Sequence, residues 1–408
     1  MTLINPSCTG HERARTSLAR PGPLGRLIDR SIPALQSGRL QLVLPNGDVI
    51  EGRGRNAGPD ATLCANRWRA LWRILADGED GFADGYLDGD WTTPDLRSVL
   101  DLCVRNEATL TQHADSSRLR LARNKVLHWL RTNSRSGSRR NIRKHYDLGN
   151  DFFAPWLDRG MNYSSALYAG NEPLETAQDA KLDRIASLLE LKGGERILEI
   201  GCGWGALAER LLRSGTDMLA VTLSTEQLIY ARERLRCEIE QGRAEVELLD
   251  YRDISGQFDR IVSIEMIEAV GEEFWPVYFN KLRACLHQGG VAVLQAITIA
   301  ERRFATYRKR PDFIQRCIFP GGMLPTPSII AQQAARAGLE LVRHEAFGDS
   351  YARTLAEWRL RFQQSWPGIE RLGFSERFRR MWEYYLTYCE AGFRAGIVDV
   401  GFFKLVAR

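Results

Sequence analysis

The residues best placed to do chemistry are the run Arg196 to Gly205, Arg-Ile-Leu-Glu-Ile-Gly-Cys-Gly-Trp-Gly, together with polar residues expected at neighbouring strand ends. Arg196 to Ile200 reads as a short apolar strand buried in a parallel sheet, and Gly201, Gly203 and Gly205 precede a helical run that begins at Ala206. Glycines at alternate positions let the main chain take φ values closed to other residues. They also leave no side chain between the backbone and a ligand lying across the strand end. This is a nucleotide turn. A dinucleotide site would carry G-x-G-x-x-G and an acidic residue at the end of the second strand to hold the ribose hydroxyls. Here the spacing is G-x-G-x-G with Glu199 two residues ahead, and the second strand, Met218 to Thr222, runs into Leu223, Ser224 and Gln227.

The elements that must position these residues follow from the pattern of the chain. At 408 residues the chain exceeds one core, so two domains are expected. Residues 1–25 read as a mobile lead-in, 26–131 as a small α+β domain, 132–140 as a Ser/Gly/Arg linker and 141–408 as the domain of the glycine turn. In the small domain, Leu40 to Leu44 and Val49 onward flank Pro45-Asn46-Gly47-Asp48, which predicts a hairpin with a two-residue Asn-Gly turn. Its aromatics are expected in the core. From Asn141 onward strands are predicted at Ile197, Leu219, Val246, Ile261, Val291, Leu341 and Ile397 to Val406, with helices near Ala206, Glu226, Pro276 and Ser328. The expected architecture is a doubly wound, mostly parallel seven-stranded α/β sheet, with ligands at the carboxyl ends of its strands. Two aromatic and Arg-rich insertions, Glu301 to Pro327 and Gly348 to Gly396, are expected to cap those ends.

Composition narrows the function. The net charge is +5, and the cations are nearly all Arg, with seven Lys. From Arg118 to Lys144 there are ten Arg or Lys and no Asp or Glu, with Leu119, Ala122, Val126 and Leu130 on one helical face. Such a segment reads as a surface for anionic lipid headgroups or as a solvated helix packed on its own domain. Nucleic acid is disfavoured because no recognised nucleic-acid module accompanies the charge. The eight cysteines show neither C-x-x-C nor metal-ligand spacing, so a reducing cytosol and no metal are expected. No apolar run suits a signal peptide or a membrane span, which predicts a cytoplasmic chain peripheral on the inner face of a membrane.

A compact glycine turn preceded by an acid resembles the first motif of S-adenosylmethionine (SAM) methyltransferases. Residues 141–408 together resemble the cyclopropane-fatty-acyl-phospholipid synthase family of these enzymes. The likeness runs through His145 to Phe153, Met161 to Ala166, Gly201 to Gly205, Thr222 to Gln227, Asp250-Tyr251-Arg252-Asp253, Phe258 to Ser263, Phe319 to Pro325, Tyr384-Tyr385-Leu386, Cys389 and Phe393-Arg394. The resemblance implies that Tyr163, Ser164, Gly201, Gly203 and Gly205 contact SAM, with Glu199 at the same turn. It further implies that Thr222, Leu223, Ser224 and Gln227 meet the ribose side and that Asp250 and Tyr251 bracket the adenine. It connects the N-terminal part with lipid engagement and homodimer formation.

The implied reaction is attack of a cis alkene of a phospholipid acyl chain on the sulfonium methyl, which leaves a carbocation to be shielded and stabilised. Glu268, Tyr351 and Cys389 match family active-site residues, although Cys389 could equally be an ordinary buried residue. Ring-closing members hold a bicarbonate base with a Cys and a His, and this chain has Ser165 and Gln295 at those positions. An anion site with hydroxyl and amide donors is one expectation. A methyl-branched or methylene product formed through hydride shift is the other. A methyltransferase for a small amine or phenol, and a lipid-binding scaffold with a vestigial SAM site, are the competing readings.

Overall fold

The computed structural model describes residues 35–114 and 148–408, so the basic segment from Arg118 to Lys144 and the predicted linker lie outside the described residues. The described chain divides into two compact units: 35–114 with Gly373–Ala395, and 148–372 with Gly396–Arg408. The Glu376–Arg394 helix, which sequence alone assigned to the glycine-turn domain, therefore belongs to the N-terminal unit.

In that first unit the strands β1 (Ser37–Val43), β2 (Val49–Arg53), β3 (Asn56–Ala65) and β4 (Trp91–Thr92) form one sheet in the order β2-β1-β3-β4. The predicted hairpin joins β1 to β2 with Val43 opposite Val49. Its turn differs from expectation. The Leu44 amide donates to Asp48 and the Gly47 amide to Leu44, and Gly47, at φ 88°, is the residue of the turn with positive φ. Pro45 favours a type I turn, so one left-handed glycine closes a three-residue loop in place of a two-residue Asn-Gly turn. Trp91 is fully buried and donates its indole N–H to the Phe82 carbonyl at 2.8 Å. Asp90, also buried, is paired with Arg69 at 2.7 Å and Arg73 at 2.9 Å. The Glu376–Arg394 helix contributes Glu383, which accepts from the Tyr86 hydroxyl at 3.3 Å.

The second unit is built on β5 (Arg196–Ile200), β6 (Asp217–Thr222), β7 (Ala244–Leu248), β8 (Phe258–Ile264), β9 (Leu286–Ile299), β10 (Leu339–Ala346) and β11 (Val398–Ala407). They lie in the order β10-β11-β9-β8-β5-β6-β7, with β11 antiparallel to both neighbours and β5 to β9 parallel. This is the predicted doubly wound sheet. Its strands bury both faces because successive residues point to opposite sides. Leu198, Ile200, Leu219 and Val221 join one core layer with Phe258, Phe279 and Phe403, whereas Ile197, Met218 and Ala220 join the other with Leu207, Leu211 and Phe402. The strand order reverses between β5 and β8, which opens a crevice at their carboxyl ends. Gly201 and Glu265 stand at the two lips of that crevice, immediately after β5 and β8.

Candidate functional site

A cleft at this crevice is lined by Tyr163, Ser164, Lys181, Glu199, Gly201, Gly203, Thr222, Leu223, Gln227, Tyr251 and Glu265, among others. The three glycines serve different ends. All have positive φ, but a Cβ on Gly205 would lie 3.2 Å from the Ala231 Cβ, whereas a Cβ on Gly203 would meet nothing within 4 Å. Gly205 thus lets the helix after the turn pack on the Thr225–Arg234 helix, and Gly203 keeps the cleft floor clear. Trp204 is fixed above the turn by its indole N–H, which donates to Asn150 Oδ1 at 2.7 Å.

Glu199 is buried at the end of β5, and its Oε2 has no hydrogen-bond partner. Burial pushes its carboxyl up to about 8, with the nearby Lys181 charge opposing the shift. Lys181 is itself 1% exposed, and its Nζ donates to Ser164 Oγ at 2.8 Å. Burial lowers its pKa to about 8, while Asp158, Glu265 and Glu199 pull the other way. Gln178, one turn earlier on the Leu174–Leu189 helix, donates to the Ser164 carbonyl at 3.0 Å. Sequence reasoning passed over Lys181, although a signal was present: Gln178 and Lys181 interrupt the stripe formed by Leu174, Ala177, Leu182 and Ile185.

On the second strand Thr222 donates to Gln227 Oε1 at 2.8 Å, which turns the amide NH2 of Gln227 away from that contact. Leu223 and Tyr251 also face the cleft. Two expected contacts do not reach it. Ser224 is fully buried and caps the Thr225–Arg234 helix by accepting from the Gln227 amide at 3.3 Å. Asp250 is engaged through both oxygens by the Arg252 guanidinium, at 2.8 and 2.6 Å, and caps the turn Tyr251–Asp253. Each side chain serves local backbone order.

At the β8 lip the structure gathers the residues expected around an anion, but on a group that sequence reasoning missed. Glu265 Oε1 accepts from the Ser165 amide at 2.9 Å and from Gln295 Nε2 at 2.7 Å, and Glu265 Oε2 accepts from the Tyr351 hydroxyl at 2.7 Å. The register of β8 and β9, with Ile264 opposite Gln295, sets this contact, and the Glu265 amide donates to the Gln295 carbonyl at 2.8 Å. Glu265 also has φ 48°, an unusual value for a residue with a side chain. The Ser165 hydroxyl turns away and donates to the Ala166 carbonyl at 2.9 Å. Glu268 accepts from the Ile297 amide through Oε1, and its buried Oε2 has no partner. Burial, and next the charge of Glu265, push Glu268 up to about 8. Glu265 is also raised by burial, against the opposing pull of its three donors.

The second insertion meets the site behind the cleft lining, through Glu265 and Ala166. Its Gly348–Glu370 helix carries Tyr351 and Trp358, and it anchors Ala166 through Thr354 at 3.1 Å. The Tyr163 ring lies tilted against Trp358, with centroids 5.3 Å apart, and Trp358 in turn meets Tyr351 edge-on at 6.1 Å. The first insertion seats Met323, whose amide donates to the Glu268 carbonyl at 2.8 Å. Cys389 lies on the Glu376–Arg394 helix of the other unit and is not among the residues lining the cleft. Among the described residues no cluster suits a metal ion, and no helix is long and apolar enough to cross a membrane.

Known proteins resemble this chain in sequence and fold. Residues 133–403 match the family described as mycolic acid cyclopropane synthetase. The chain is 40% identical to the tuberculostearic acid methyltransferase UfaA1 of Mycobacterium tuberculosis, over 97% of this chain and 93% of that protein. It is 38% identical to the cyclopropane-fatty-acyl-phospholipid synthase of Escherichia coli strain K12, over 79% of this chain and 82% of that one. The crystal structure of the mycolic acid cyclopropane synthase CmaA1 complexed with SAH and CTAB superposes with a TM-score of 0.62 at 30% identity, covering 66% of this chain and 98% of that chain. The glycine turn, the strand order and these relatives agree: the chain belongs to the mycolic acid cyclopropane synthetase family and is a SAM-dependent methyltransferase.

Proposed function

We propose that the enzyme transfers the SAM methyl group to a carbon of the cis double bond in an unsaturated phospholipid acyl chain. The observation that carries this reading is a half-buried carboxylate pair: Glu265 lines the methyl-donor cleft with Tyr163 and accepts from Tyr351, whose ring meets Trp358, and Glu268 lies three residues on. An alkene needs no base to become nucleophilic, but it becomes cationic once it has taken a methyl group, and negative charge with aromatic faces stabilises a cation. A small amine or phenol would require neither feature.

The cleft residues suit SAM. Glu199, with one buried oxygen unpartnered, would hold the ammonium group, and the open floor at Gly203 leaves room for the nucleoside. Gln227, oriented by Thr222, would donate to the ribose, and Tyr251 would cover the adenine, with Tyr163, Ser164, Gly201 and Leu223 completing the walls. Lys181 would hold Ser164 in place from beneath. SAM supplies an electrophilic methyl on a positively charged sulfur.

Engagement with an anionic membrane surface, with the protein peripheral on its inner face, belongs to the same reading. The basic segment from Arg118 to Lys144 would contribute charge. Trp72 and Leu75, on one face of the Trp68–Asp77 helix, are 71% and 69% exposed among the described residues and would contribute apolar contact. The test incubates the purified protein with SAM and vesicles of a mixed anionic and zwitterionic dioleoyl phospholipid, followed by mass spectrometry of the acyl chains. The expected result is a gain of one CH2 per modified chain, with ring and methylene products separated by hydrogenation. SAM consumption without any gain in lipid mass would overturn the reading.

A further inference from the structure

Glu265 lies in the shell that, by the family resemblance, holds a bicarbonate in ring-closing members. Ser165, Gln295 and Tyr351, the residues expected to surround that anion, all direct donors at the Glu265 carboxylate, at 2.9, 2.7 and 2.7 Å. With those three donors already engaged, the shell does not fit an additional bicarbonate. The carboxylate also reaches its site at a cost, since φ 48° is disfavoured for a residue with a Cβ. An amide N–H and an amide NH2 can only donate, so Glu265 Oε1, which faces both, is held as an acceptor. Glu268, three residues on, has only backbone donors and an unpartnered Oε2, so it is the member of the pair suited to carry a proton.

We propose that Glu265 is the enzyme's built-in base and that the reaction needs no exogenous bicarbonate. This rests on the acyl-chain reading above. The alkene π pair forms the new bond to the methyl carbon, and the pair of the breaking S–C bond leaves with sulfur. The neighbouring acyl carbon is then cationic. Glu265 takes one proton from the transferred methyl group, and the freed C–H pair either closes the cyclopropane or, after a 1,2-hydride shift, forms a C=CH2 methylene branch on the chain. Both outcomes release one proton and need no oxidant or reductant.

The experiment compares wild type, Glu265→Gln and Glu265→Gly in CO2-stripped buffer, with and without added bicarbonate, formate or acetate, scoring lipid product and SAM affinity separately. Wild-type turnover should change less than about twofold with bicarbonate, because its base is covalently present. Glu265→Gln should lose about 10²- to 10⁴-fold in turnover, the usual contribution of a positioned base, while calorimetry still detects SAM binding. Glu265→Gly relieves the left-handed backbone and opens an anion-sized space facing the same three donors, so added bicarbonate or formate should restore part of its turnover. Wild-type turnover that collapses without bicarbonate, or a Glu265→Gln variant as fast as wild type, would overturn the proposal and leave the acyl-chain reading standing. Absence of lipid product from the SAM-binding wild type would overturn both.

Discussion

Replacing Gly203 by alanine separates the two demands that a glycine turn satisfies. In this structure Gly203 has φ 53°, and a Cβ there would touch nothing within 4 Å. Without ligand the cost is the left-handed backbone alone, about 1–2 kcal/mol. For a unit of this size that lowers Tm by about 2–8 °C, at 2–4 °C per kcal/mol. With SAM bound, the added methyl occupies the cleft floor, and an extra methyl in a close-packed contact costs about 1–3 kcal/mol. SAM affinity should therefore fall about 5- to 140-fold, at 1.4 kcal/mol per decade. Gly215→Ala is the matched control: φ is 74°, its Cβ also meets nothing within 4 Å, and it is not among the cleft-lining residues. It should lose similar stability and keep wild-type affinity. Thermal denaturation and calorimetric titration of the two variants decide the matter. Equal SAM affinity in both would refute the assignment of Gly203 to the cofactor floor.

Other expectations follow from the buried charges and the exposed apolar face. Glu199 and Glu268 have folded pKa values of about 8 against an ordinary 4.5, so the stability each contributes is present below pH 4.5 and lost as pH rises towards 8. Glu199→Gln and Glu268→Gln should accordingly gain in Tm over wild type, without SAM, as pH goes from 5 to 8; a difference that shrinks with pH would contradict the burial of these charges. Lys181→Met removes the buried ammonium that donates to Ser164, which should cost about 1.5–3 kcal/mol, the usual worth of a hydrogen bond to a charged group, read as a lower urea midpoint at unchanged slope. An unchanged midpoint would mean that the lysine is not part of the folded network. Trp72→Ser with Leu75→Ser should weaken sedimentation with anionic vesicles even at high salt, because each fully buried side chain of this kind contributes about 1.5–3 kcal/mol. Undiminished vesicle binding would remove that helix face from the membrane contact.

Local sequence determined the framework. An apolar strand followed by three alternate glycines reads as a ligand turn, and the alternation of strands and helices specified the doubly wound sheet because each element carries its own periodicity. Thr222, Gln227 and Tyr251 were legible for the same reason: they end strands, and strand ends converge in such a sheet. Tertiary structure decided what depends on partners distant in sequence. Asp250 and Ser224 are different, since their partners are local: Arg252, two residues on, holds the first, and the second caps the helix that follows it. Cys389 lies on a helix that packs in the N-terminal unit, a choice made by surfaces that no local pattern encodes. Glu265 shows the difference most directly. In sequence it is one of two glutamates after a strand; in the fold, donors from positions 100, 30 and 86 residues away converge on it, because strand register and a helical insertion bring three distant segments to one carboxylate.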